Sequence, residues 1–321
     1  MSRLPPERKA RVAGIGAAFR ADGGVTVGLW VIFTLLAAAG QSARNAMQRE
    51  LTATLGTVGA THVRFLFGFP FALLFLAVVL VATGSALPQP RLVFAPWVLL
   101  GALSQICSTA LMLAAMNDRS FVVTIAYTKT EVIQAAVFGL LFLGDPLTVP
   151  IVIAILVATA GVWLMSFKGQ APMQGGLKPT LLGLFSGAML ALSVVGYRGA
   201  ILSLERPDFM MTAPFTLAVG LAVQAGLLTL YLALRDRPVL VAIARAWRPS
   251  LFAGFMGASA SECWFLGFAL TSAANVRTLG LAEVLFAQAI SYFIFRQATT
   301  AREAIGMAMI VAGVALLIWV Q

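Results

Sequence analysis

Five ionisable residues stand inside otherwise apolar stretches: Arg64, Lys129, Glu131, Glu262 and Glu283. A charge at the centre of a membrane helix costs about 2.5–3.5 kcal/mol on insertion scales, so it normally faces a partner or a wet cavity. Two chemistries suit Glu131 and Glu283: recognition of a substrate amine, or carriage of a proton by a carboxyl in a buried place. A structural role is also open, with Glu131 bonded to Arg64 or Lys129. Lys129 precedes Glu131 by two positions, about 200° away round a helix. The two are therefore no intrahelical pair, and Lys129 must snorkel or meet an acid on another helix. Arg64, near the start of its apolar run, reads equally as interfacial or substrate-facing. Glu262 lies mid-run beside Trp264, while 152 positions earlier the chain has Ala110; that asymmetry fits a substrate pocket. Tyr127 is one helical turn from Glu131. With Gln105, Gln134 and Gln288, it suits either a cavity wall or helix-to-helix hydrogen bonds.

Other chemistries find too few parts. There is one histidine, His62, and the two cysteines, Cys107 and Cys263, lie in apolar runs. A zinc site, a disulfide framework or a histidine-based triad is not expected. No phosphate-binding G-x-x-x-x-G-K-[ST] loop occurs, so ATP drive within the chain is not expected, nor is a cofactor. The net charge of +10 comes from basic residues set singly between apolar runs. That pattern fits lipid headgroups and not nucleic acid, which needs a continuous basic face.

The elements that must hold these residues are membrane helices. Hydrophobic residues make up 60% of the 321 and charged ones only 11%, too little polar surface for a water-soluble domain. Mean hydropathy is +0.94. The runs are apolar all round, whereas strands of a membrane barrel alternate, so helices are expected. Spans are read over 25–44, 60–83, 95–116, 121–143, 148–167, 180–203, 211–234, 250–271, 276–295 and 302–320, each long enough for a core about 30 Å thick. Turn chemistry separates them, as at Gly144-Asp145-Pro146 and Asp236-Arg237-Pro238. Residues 1–24 read as a basic tail and 168–179 as a linker. The run ending in Leu36-Ala37-Ala38-Ala39-Gly40 resembles a signal peptide; an uncleaved first helix is the preferred reading. Trp30, Trp97, Trp163, Trp247 and Trp319 fall near span ends and are expected to form an interfacial belt.

The chain repeats itself at an offset of 152 residues. Glu131 falls on Glu283, Val132 on Val284, Thr148 on Thr300, Gly161 on Gly313 and Leu164 on Leu316, without a gap. Apolar matches come cheaply, but aligned acids within apolar runs do not. Five spans per unit is odd, so the second unit must sit inverted. Inverted repeats are a transporter architecture with the solute site near the midplane between the repeats.

The segment AYTKTEVIQAAVFGLLFLGDPLT from Ala126, with IVIAILVATAGVWLM from Ile151, resembles the ten-helix EamA branch of the drug/metabolite transporter superfamily. So do LAEVLFAQAISYFIF from Leu281, AIGMAMIVAGVALLIW from Ala304 and HVRFLFGFPFALLFL from His62. The likeness covers both repeats, 25–167 and 180–321. It departs from many relatives in having Val132 and Val284 where a proline follows the acid, and Asp145 and Gln297 where a glutamate ends the helix. The resemblance implies an all-α membrane protein of two inverted five-helix repeats and a transporter, not an enzyme.

The function expected is secondary transport, as exporter or exchanger, of a small polar metabolite such as an amino acid or related amine. Acids and bases within the spans suit a zwitterion, and a proton or other ion could couple. Proton-coupled efflux of lipophilic cations is the alternative, for which the acids alone suffice; an integral membrane enzyme or receptor is the third. The expected substrate-binding or coupling residues are Glu131, Glu283, Lys129, Glu262, Arg64, Tyr127, Gln134 and Trp264. An inner (plasma) membrane location is expected, with both termini on one side. Counting Arg277 on that side and Arg44 on the other, basic loop residues divide eight against eleven, so the positive-inside rule decides nothing. Cytoplasmic termini are the expectation, from the basic tail and the usual arrangement of relatives.

Overall fold

A computed structural model describes residues 23–118, 121–166, 177–206, 208–293 and 300–320. The basic tail lies almost wholly outside them, as do most of the linker and Gln297. Among the described residues every regular element is helical. In chain order they are α1 (Gly23–Thr83), α2 (Phe94–Asp118), α3 (Phe121–Thr128), α4 (Glu131–Phe138), α5 (Val149–Ser166), α6 (Leu177–Ser203), α7 (Phe209–Arg235), α8 (Arg237–Arg245), α9 (Trp247–Leu270), α10 (Ala273–Leu279), α11 (Ala282–Phe293) and α12 (Ala301–Trp319).

Several departures from the simple reading have local causes. The first two expected spans are joined: α1 runs through both and breaks only at Gly56, whose φ of 68° and ψ of 175° are open to glycine almost alone. The fourth and ninth are each cut in two. At the first cut Thr130 N donates to Tyr127 O and Val132 N to Lys129 O; at the second Leu281 N donates to Thr278 O and Glu283 N to Gly280 O. These i to i−3 bonds tighten the chain and re-aim it. The breaks match under the 152-residue offset to within a residue. Past α4 a π-helical turn, Gly139–Leu143, ends on left-handed Gly144. The last helix opens on a capping box, Thr300 with Glu303, as its T-x-x-E sequence dictates.

Among the described residues six helices are long and apolar enough to cross a membrane, and a seventh if α8 and α9, bent by 92°, count as one. The expected spans outside that number are the first, whose apolar helix is Gly28–Gln41, and the two broken ones. Large apolar side chains such as Val78, Leu141, Phe142 and Phe252 are exposed on the outer surface, where lipid satisfies them. Of the tryptophans expected near span ends, Trp247 and Trp319 are well exposed; Trp30 is a correction, buried in the core around α5 and α12.

Small residues set the closest approaches. A Cβ on Gly161 would lie 2.6 Å from the Gly306 carbonyl oxygen and 3.0 Å from Ile310; one on Gly313 would lie 2.7 Å from the Ala154 carbonyl oxygen and 2.8 Å from the Ala158 side chain. The late residue of each helix meets the early residues of the other, so α5 and α12 run antiparallel. Their contact residues exchange under the same 152-residue offset, as the two faces of a twofold contact do. Similarly, α9 packs on α1 through Gly40 and Ala260, and α2 on α6 through Gly101 and Gly196. In each case the first span of one half lies against the third of the other.

Candidate functional site

The two helix breaks place their acids at matching local positions. Glu131 opens α4, and Glu283 is the second residue of α11. Each carboxylate thus sits in a first helical turn, where unsatisfied amide N–H groups favour negative charge. Gly187 of α6 lets the first break come close: a Cβ there would stand 2.9 Å from Thr128 O and 3.0 Å from Thr130 Oγ1. Gly280 does the same at the second, where the Trp264 ring occupies the space a Cβ would need.

The acids are paired across the halves. Lys129 Nζ donates to Glu283 Oε2 at 2.6 Å, and Arg277 Nη2 donates to Glu131 Oε1. Both pairs are almost wholly buried. Each base lies at or just before the break of its own half and meets the acid beyond the break of the other. Gln41 joins them: its Nε2 donates to Glu283 Oε2 at 3.0 Å, and its Oε1 accepts from Trp264 Nε1 at 3.0 Å. The guanidinium of Arg277 also lies over the Trp264 ring, 4.4 Å from its centroid, a cation–π contact. Glu131 Oε2 is buried with no hydrogen-bond partner among the described residues.

A cavity of about 50 Å³ borders this cluster, room for a few waters only. Gln41, Arg44, Arg64, Lys129, Glu131 and Arg277 supply its polar wall, and Tyr197, Trp264, Phe265 and Phe268 much of its apolar one. Arg64 Nη1 donates to Thr109 Oγ1 at 3.4 Å. On a further wall Gln105 Oε1 accepts from Gln224 Nε2 at 2.8 Å.

Of the expected residues, Arg64, Lys129, Glu131 and Trp264 line this cavity, and Glu283 reaches it through its bonds to Lys129 and Gln41. Three others stand elsewhere. Tyr127 packs edge-on against Trp163 and over Gly183, because the break separates it from the face of Glu131. Gln134 and Glu262 are not among the cavity-lining residues. On α9, Ser261, Trp264, Phe265 and Phe268 form the lining face, and Glu262 lies roughly 100° round the helix from Ser261.

Sequence reasoning missed Gln41, Arg44 and Arg277 as site residues. The two arginines, counted as loop charges, are buried at 6% and 3% exposure, so the sidedness count that used them is corrected. The signal for Arg277 lay in its neighbours: Ala273, Ala274, Val276 and Leu279 make its surroundings as apolar as a span. A separate, partly buried pair, Arg198 with Asp145 at 3.2 Å, ties α6 to the end of the π-helical turn. Arg198 Nη1 also donates to Phe268 O and Thr271 O at the end of α9.

The model of the EamA-like transporter family matches twice, over residues 28–167 and 177–319. Among solved structures 28 chains match. One, described only as the crystal structure of a protein, aligns with a TM-score of 0.64 at 17% identity, covering 91% of this chain and 95% of its own. At that identity the likeness is one of fold. No curated protein matches the sequence.

Proposed function

Since the chain belongs to the EamA-like transporter family, we propose that it carries a small polar metabolite across the bilayer by alternating access between two inverted five-helix repeats. The observation that carries this reading is the crossed pairing of Lys129 with Glu283 and Arg277 with Glu131. Both pairs span the two halves, and both sit at breaks in helices that lie opposite one another. Broken helices whose ends face a central site are the usual way for a transporter to present polar groups at membrane depth.

The antiparallel, reciprocal contact of α5 with α12 supports the inversion. Ten crossings follow if the arm of α1 before Gly56 counts as one, each broken pair as one, and α8 is a surface turn before α9. The small cavity corresponds to a closed form. Opening to either side must part the halves, so the two ion pairs are the contacts to be exchanged for contacts with the solute. A solute that offers charged groups of its own can replace them at little net cost, and this favours exchange. Efflux of a lipophilic cation is disfavoured, because four cationic side chains line the path.

The test is flux of labelled solutes into liposomes holding the purified protein, with and without a pH gradient. Glu131→Gln and Glu283→Gln should each abolish flux or uncouple it from the gradient. Unchanged transport in both variants refutes the role of the crossed pairs.

A further inference from the structure

The cavity wall carries more cationic side chains than the described carboxylates that reach it. Four cationic side chains line it: Arg44, Arg64, Lys129 and Arg277. Among the described residues two carboxylates reach it, Glu131 on the wall and Glu283 bonded to Lys129 and Gln41. Arg277 holds Glu131 and Lys129 holds Glu283, while Arg64 has the Thr109 hydroxyl and the Phe65 ring beside it and no acid among the described residues. Elsewhere Asp145 holds Arg198, Glu205 holds Arg91 and Glu303 caps its own helix, and Glu262 is not among the cavity-lining residues. The imbalance has a trace in the sequence. Asp145 of the first half neutralises Arg198 of the second; the residue aligned with Asp145 in the second half is Gln297, an uncharged amide.

Uncompensated buried charge is strongly unfavourable. A site that keeps it gains by admitting an ion of opposite sign, and guanidinium groups match planar carboxylates and phosphates in bidentate geometry. Resting on the transport reading above, we infer that the solute carries net negative charge: a small organic carboxylate or phosphate ester whose anionic group docks against Arg64. Trp264, Phe265 and Phe268 offer the apolar wall for its carbon skeleton. The two crossed pairs hold the remaining charges apart from it until the halves move.

The test uses the full chain with succinate, glycerol 3-phosphate, alanine and tetraphenylphosphonium at matched ionic strength. Two readouts are taken: the melting temperature in detergent and flux into liposomes. Succinate or glycerol 3-phosphate should raise the melting temperature and be carried, and which of the two does so separates carboxylate from phosphate recognition. Arg64→Gln should weaken the effective anion's apparent affinity about tenfold or more, the loss of one or two hydrogen bonds to a charged group. Arg64→Lys should restore part of it. Without solute, Arg64→Gln should melt no lower than the parent, because it removes one of several like charges; this keeps the result separate from misfolding. Flux of alanine or tetraphenylphosphonium alone, indifferent to Arg64→Gln, overturns the inference and leaves the transporter reading standing. Anion binding that depends on Arg64 without flux of any probe does the reverse. Neither binding nor flux with any of the four overturns both.

Discussion

Neutralising an acid of the cavity should cost far more than neutralising its base, although the same ion pair is lost. Lys129 and Glu283 are both at least 93% buried, with N and O 2.6 Å apart. At an effective dielectric of about 20 their attraction is roughly 6 kcal/mol, much of it offset by the cost of removing both from water. Glu283→Gln leaves Glu131 as the one described carboxylate facing four bases, so among the described side chains the positive excess grows from two to three charges. Stranding a buried charge in this way costs about 3–5 kcal/mol. Lys129→Met lowers the excess to one. It leaves Glu283 with its bond from Gln41 and with Arg44 and Arg277 close enough to act on it, so about 1–2 kcal/mol is expected, the cost of a lost charged hydrogen bond. The double variant should fall near Lys129→Met, not at the sum of the singles. Equilibrium unfolding in mixed micelles gives the four corners of the cycle. Equal costs for the two single variants would refute the charge-excess account of the cavity.

Two further variants test the scaffold. Gly56→Ala places a Cβ in open space, with nothing within 4 Å, so any loss is backbone strain; the φ of 68° with ψ of 175° predicts about 1–3 kcal/mol, read by the same unfolding assay. No loss would mean that the break between the arms of α1 has a different geometry. Gly161→Leu and Gly313→Leu each force a side chain against a carbonyl oxygen of the opposite helix. They should destabilise by similar amounts, about 1–3 kcal/mol or more, as twofold-related positions require; a large inequality would count against the reciprocal crossing of α5 and α12.

The repeat was legible because it rests on what a single chain can show: an unbroken offset and two acids where apolar residues are the rule. The acids stood out against the apolar runs and the repeat, and helix geometry separated Lys129 from Glu131, leaving it to snorkel or to meet an acid on another helix. Their partners did not. Arg277 stands one residue inside the expected ninth span, at 276–295, and was grouped with loop charges because a boundary was placed close beside it. The helix in fact begins at Ala273. A shift of three residues thus turned a buried arginine of the site into a surface charge. Tyr127 failed for the opposite reason: a continuous helix would set it on the face of Glu131, and the tight turn at Lys129 and Thr130 rotates it away.

The same cause lies behind both errors. A mean hydropathy locates spans by averaging, whereas a helix broken at membrane depth is a local event that averaging removes. What survives averaging is charge balance. Among the ionisable residues that stand mid-span, line the cavity or join its neighbouring ion pair, bases outnumber acids by one, with Arg44, Arg64, Lys129, Arg198 and Arg277 against Glu131, Asp145, Glu262 and Glu283. In a soluble domain such an excess of one is unremarkable, because water screens it. In lipid it has to be answered by a neighbouring side chain or by something that enters. The structure removes Arg198 and Asp145 as a closed pair and turns Glu262 away, which raises the excess at the cavity to two. Here the sequence supplies the charges and the fold decides which of them face the cavity.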